Sequence, residues 1–246
     1  MFGIFTGTIV NAVLVIIGTA IGLIFNAPKL KQIGDRIFQV FALFVMVMGF
    51  EGALGVEEPV PCLISIIVGV AIGEFLDLDA AFTRFGNWLE KKLNKKKDSE
   101  IGISYGNFAE GFIQASLLFC IGSMTIMGAM QSGLQNDHSI YYTKGVLDMI
   151  SACTMAMGFG IGVGFSSLAI LVYQGLLTVG ASFLAPVLTD ATITLSVQIG
   201  SLFLIGIATN MFGITRLKVA NFLPAMFMPI LWQIITHLPF IQNLLH

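Results

Sequence analysis

Six stretches of this chain, near 8–26, 38–55, 61–77, 111–131, 196–213 and 220–238, are apolar over about the 20 residues that a helix needs to cross a bilayer. In hydrocarbon every backbone N–H and C=O must be bonded within the protein, and apolar runs of this length do so as helices. A further apolar block, Leu147 to Leu188, is about twice one crossing. Ser166 and Ser167 stand at its middle, so it divides there into spans 148–166 and 168–188. The expected fold is all-α: a polytopic transmembrane helix bundle of about eight spans. Residues 1–246 form a single integral membrane domain. Within it 1–77 carry spans one to three, 78–108 a cytoplasmic amphipathic and basic connection, and 109–246 spans four to eight. The composition, 56% hydrophobic and 11% charged, lies far from that of soluble domains.

Charge placement tests the count, because a miscounted span scatters Lys and Arg over both sides of the membrane. With the N-terminus outside, Lys29, Lys31, Arg36, Arg84, Lys91, Lys92, Lys95, Lys96, Lys97, Arg216 and Lys218 all fall inside, and Lys144 alone falls outside. Both termini are therefore expected outside. The first span begins almost at Met1 without a basic leader or a small-residue cleavage signal, so it reads as a retained span. The net charge of −2 gives no reason to expect nucleic acid. Cys62, Cys120 and Cys153 lie in apolar segments without CxxC spacing, so neither a disulfide framework nor a metal site is expected.

Between spans three and four, Phe82, Phe85, Trp88, Leu89 and Leu93 recur at helical spacing opposite a lysine-rich face. That pattern suits a helix lying in the cytoplasmic headgroup layer, with Lys91, Lys92, Lys95, Lys96 and Lys97 favouring anionic lipid. A solvated charge run at a helix end fits Lys95 to Lys97 equally.

The stretch "MAMGFGIGVGFSSLAI" sets Gly158, Gly160, Gly162 and Gly164 at every second position. As one helix it exposes bare backbone on two faces and packs between two neighbours. Alternatively the span bends or unwinds there, on a pathway. Laid 140 residues apart, this region resembles the first span, pairing Ala12 with Ala152, Gly18 with Gly158 and Gly22 with Gly162. Two parallel four-span halves follow from that alignment, and an inverted three-plus-three arrangement of the outer spans stays open. In the last span Pro229 removes an interior hydrogen bond and predicts a kink, whereas Pro224 sits near the start.

Polar side chains in a bilayer usually face the protein interior or a wet cavity. Glu74, Glu110, Asn210 and Asn221 are expected to converge at an inner mouth, with Gln114 one turn deeper, as oxygen ligands for a cation or carriers of a proton. Ordinary helix-end chemistry explains Glu74 and Glu110 equally well. On the outer side Asp148 opens span five, as a helix-start residue or a site group. Asn11 and Gln174 are buried amides that want several partners and are candidate pathway residues.

Together, "GTIVNA", "GEFLDLD", "EGFIQASLLFCIG", "YQG" and "VANFLPA" resemble an uncharacterised bacterial inner-membrane family typified by YqgA and YdfK, domain of unknown function 554. The resemblance covers nearly the whole chain. Gly122-Ser123 stands where the family reads Gly-Pro, and Ser132 where it reads an acidic residue. It implies a multi-pass inner-membrane protein, labelled a transporter at most, and supplies no catalytic residues. The expected function is secondary transport of a small solute or ion by alternating access, with cation or proton coupling at the inner acidic site. The alternative is a non-transporting assembly or sensor protein. Neither HExxH nor a Ser-His pairing is found, so no enzyme and no cofactor are expected. Assembly into a homo-oligomer is left open.

Overall fold

The fold is that of a computed structural model describing residues 3–25, 27, 29–56, 58–94 and 108–236, the side chains of 93, 94 and 236 aside. All regular structure among them is helical. A 3-10 turn at Gly3–Phe5 leads into α1 (Thr6–Ile24), followed by α2 (Lys31–Leu54), α3 (Pro59–Leu76) and α4 (Leu78–Asn94). Next come α5 (Phe108–Cys120), α6 (Ser123–Gln135), α7 (Ser139–Phe159), α8 (Gly162–Val179) and the single-turn α9 (Ala181–Leu184). The chain closes with α10 (Asp190–Met211), a 3-10 turn at Val219–Phe222 and α11 (Leu223–Thr236).

The protein is an all-α polytopic membrane bundle. Among the described residues, Gly3–Ile24, Lys31–Leu54, Pro59–Leu76, Gly162–Val179 and Asp190–Met211 are long and apolar enough to cross, and α5 with α6 makes a sixth if taken as one bent span. The count by length and composition is thus five to six, against the eight expected. The shortfall has a physical origin. Helix α7 carries Lys144 and Asp148, and the last apolar helix, Val219–Ile235, is short.

Contacts give the helix directions. Gly7 meets Tyr141, Gly18 meets the Met149 carbonyl and Gly22 the Cys153 carbonyl, so α1 and α7 run parallel. Neither Gly18 nor Gly22 has room for a methyl group, which is how two backbones come this close. Helix α8 returns the other way, with Gly164 beside Thr19 and Gly175 beside Phe5. Gly49 lies by Ile205 and the Gly55 carbonyl accepts from Gln198 Nε2, setting α2 antiparallel to α10. Gly69 lies by Ala225 and Gly73 by Asn221, setting α3 antiparallel to α11.

Helices α1, α2 and α3 therefore pack in turn, antiparallel, on α8, α10 and α11. The four-span alignment sets α1 against α7, which are parallel neighbours.

The block from Leu147 to Leu188 is divided, but not where Ser166 and Ser167 suggested. Both serines lie within α8, and the turn is at Gly160, whose φ of 77° and ψ of −153° suit glycine alone. The glycine run is thus neither one two-faced helix nor an unwound mid-span segment. It is the tight connection of an antiparallel pair. Gly158 faces the Phe38 ring of α2, Gly162 the Phe108 carbonyl of α5 and Gly164 the Thr19 side chain of α1.

The described basic residues Lys29, Lys31, Arg36, Arg84, Lys91, Lys92, Arg216 and Lys218 belong to the end where α1, α3, α7 and α10 finish. This is called the basic end below, and the opposite one the far end. At the basic end α4 lays Phe82 and Phe85 against Phe112 of α5, while Lys92 covers the Trp88 ring at 4.9 Å. Lys95, Lys96 and Lys97 lie outside the described residues. Pro229 is inside α11, and Pro224 occupies its first turn.

Candidate functional site

The expected span 111–131 is broken. Helices α5 and α6 meet at 64°, and Gly122 between them has a φ of 128° and a ψ of 152°, again a glycine-only conformation. Broken membrane helices persist only where side chains or neighbours satisfy the freed backbone groups. Here Thr125 Oγ1 donates to the Phe119 carbonyl at 3.4 Å, bridging the gap. Tyr141 of α7, fully buried, donates its hydroxyl to the Thr125 carbonyl at 3.1 Å.

Beside the break lies a cleft of about 440 Å³ between α2, α5, α6, α7 and α10. Phe44, Met48, Leu118, Phe119 and Ile121 make its walls apolar, and Lys144, Asp148, Ser123 and Ser151 supply polar groups. Lys144 Nζ is paired with Asp148 Oδ2, one helical turn along α7. The same carboxylate oxygen accepts from Asn11 Nδ2 of α1 at 3.0 Å. Asn11 Nδ2 also reaches Gln174 Oε1 of α8 at 3.4 Å. Asn11 and Gln174 are fully buried, and Asn11 Oδ1 and Gln174 Nε2 have no hydrogen-bond partner among the described residues.

Three predicted residues, Asn11, Asp148 and Gln174, thus meet in one polar network inside the far half. Asp148 does not open its helix, however. Helix α7 starts nine residues earlier at Ser139, two residues after Asp137. Asp137 Oδ1 accepts from the Ser139 hydroxyl at 2.6 Å and its N–H at 3.0 Å, and these bonds hold the Asp137 carboxyl below its usual range.

The second cleft, about 620 Å³, lies at the basic end and is lined by Asp79, Glu90, Glu110, Gln114, Asn210 and Arg216 among others. Gln114 Oε1 is buried there without a hydrogen-bond partner among the described residues. Asn210 is occupied with its own loop, donating to the Leu217 carbonyl at 2.8 Å and accepting from the Leu217 N–H at 2.9 Å and the Thr215 hydroxyl at 2.8 Å. Asn221 Nδ2 donates to Glu74 Oε2 at 2.6 Å, and Asn221 Oδ1 accepts from the Asp79 N–H at 2.7 Å, joining α3, α4 and the turn before α11. Lys218 Nζ stands 3.8 Å from Glu74 and 3.6 Å from Asp77. Burial raises the Asp79 carboxyl, Lys218 opposes that shift, and Asp77 and Glu74 add to it.

Glu74, Glu110, Asn210 and Asn221 therefore gather at one end, but in two subsets. Glu110, Gln114 and Asn210 line the cleft, whereas Glu74 is more than half exposed and ties helix ends together with Asn221. Lys144 was missed as a site residue because the positive-inside rule placed it in an outer loop. Its signal was the Lys144-to-Asp148 spacing, four residues with opposite charge. Gly122 was missed because one glycine in an apolar run is a weak breaker.

A family model described as "Protein of unknown function (DUF554)" matches residues 6–234. This chain belongs to that family. The family member "Uncharacterized membrane protein YdfK" of Bacillus subtilis (strain 168) is 26% identical over 227 residues, covering 91% of this chain and 93% of that protein. "Uncharacterized protein YqgA" of Escherichia coli (strain K12) is 25% identical over 220 residues, covering 89% and 92%. No solved structure matches the chain.

Proposed function

We propose that this membrane protein is a secondary transporter of a small solute, working by alternating access without chemical change to its cargo. One observation carries the reading: two clefts with polar groups lie at opposite ends of the same helices, α5 and α10. On α5 the basic-end cleft reaches Gln114 and the far cleft begins at Leu118, about 6 Å of helix rise away. Along the chain, buried Ala115 and Leu117 separate the two lining segments of α5, and buried Ile207 and Ala208 those of α10. A thin apolar barrier between two half-pathways, beside a broken span, is the arrangement that rocking of one helix set against another opens from alternate sides.

The coupling group best placed in this scheme is Asp148, which is buried beside the break, and not Glu74, whose carboxylate is engaged at a helix end. In this reading the basic end faces the cytoplasm of a bacterial inner membrane, both termini lie outside, and the basic helix α4 rests on anionic lipid through Lys91 and Lys92. The test is uptake by the purified protein in liposomes, screened over cations and small organic solutes with and without a pH gradient. Saturable uptake that collapses in Asp148→Asn while Glu74→Gln retains it is the expected result. Uptake of nothing across the screen contradicts the reading and favours a non-transporting assembly or sensor role.

A further inference from the structure

We propose that the far cleft is a binding site for a small zwitterion with an apolar body, of the chemical class of an apolar α-amino acid. Binding itself is read from the cleft, and only its role as cargo rests on the transport reading. The Lys144 and Asp148 side chains are 7% and 10% exposed, and both line the cleft. Yet the pair is satisfied on one side only. Lys144 Nζ gives one proton to Asp148 Oδ2 and has two more with no partner among the described residues. Asp148 Oδ2 takes both Lys144 and Asn11, while Oδ1 accepts nothing among the described residues.

Ionic groups within a membrane are costly unless their remaining donors and acceptors are met. A simple anion answers Lys144 but is repelled by Asp148, and a simple cation meets the reverse conflict. A carboxylate and an ammonium on one carbon atom answer both, the carboxylate accepting from Lys144 Nζ and the ammonium donating to Asp148 Oδ1. The first turn of α6 opens at Ser123 on the same cleft, and its partial positive charge favours the carboxylate. Phe44, Met48, Leu118, Phe119 and Ile121 give the rest of the ligand an apolar surround. The volume falls in the range of about 300 to 1,000 Å³ typical of small-molecule sites.

The experiment is calorimetric titration of the full-length protein in detergent with L-leucine, 4-methylpentanoate and 3-methylbutylamine, which share the same branched alkyl chain and differ in charge. Leucine is expected to bind at least about tenfold tighter than either single-charge analogue. Lys144→Gln should remove that preference. Because that change disturbs a buried pair, Leu147→Trp serves as the second variant: Leu147 lines the cleft from a half-exposed position, and its side chain carries neither a charge nor a hydrogen-bonding group. It should weaken leucine about tenfold with the melting temperature kept. Equal affinity for the three compounds, or leucine binding unchanged by Leu147→Trp in folded protein, overturns the proposal. Leucine binding without uptake supports this site and counts against transport. Uptake of another solute class without leucine binding overturns the zwitterion and leaves transport standing.

Discussion

At the residue scale the far cleft is built around a buried ion pair. Asp148 holds Lys144 and Asn11 together, so removing its charge leaves an ammonium inside the bundle with no counterion. Asp148→Asn is therefore expected to cost about 3 to 5 kcal/mol, whereas the paired change Lys144→Met with Asp148→Leu should be close to neutral in stability. Thermal unfolding in detergent of the single and double variants checks this. A double variant as unstable as the single one would show that the polar network, and not charge pairing, sets the cost. The components of this site were unequally legible in the sequence. Asn11 and Gln174 stood out because an amide in an apolar run must find partners, and they found each other. Lys144 did not, because a charge four residues from Asp148 near an apolar boundary looks the same whether the helix starts before it or after it. Only the start of α7 at Ser139 separates the cases, and that start depends on contacts with Gly7 and Gly128 that no local pattern records.

At the scale of elements, apolar length located the helices but not their breaks. Hydropathy is blind to whether a run of about 20 residues is one rod or two. Gly122 and Gly160 end helices through backbone conformations that only glycine adopts, and glycine is also common in unbroken membrane helices, where it packs. Hence the glycine run was read as one packed or unwound span when Gly160 turns the chain and Gly158, Gly162 and Gly164 pack on either side of that turn, and the α5 to α6 break went unseen. The break carries its own test. Ser123 is the first residue of α6 and its N–H has no partner among the described residues, so Ser123→Pro should cost less than about 1 kcal/mol, where proline inside a continuous helix costs about 3 kcal/mol or more. Chemical or thermal unfolding of that single variant decides between a broken and an unbroken span.

For the whole molecule, the alternation of helix directions is the property on which the two clefts depend. Helices α1, α2 and α3 lie antiparallel on α8, α10 and α11, and the basic residues collect at one end of every such pair. The fold class and the basic asymmetry were readable from apolar length and charge placement alone. The pairing was not, because close approach through Gly49, Gly69 and Gly73 leaves a signature shared by any small residue in a membrane helix. The central claim is that one cleft opens toward each side of the membrane. The direct measurement uses a chain with Cys62, Cys120 and Cys153 replaced by alanine, carrying a single new cysteine at Thr215 in the basic-end cleft or at Ser151 in the far cleft. A membrane-impermeant maleimide is then applied to right-side-out or inside-out vesicles. The account predicts that Thr215→Cys reacts only from the cytoplasmic face and Ser151→Cys only from the other; reaction of both from the same face would contradict it.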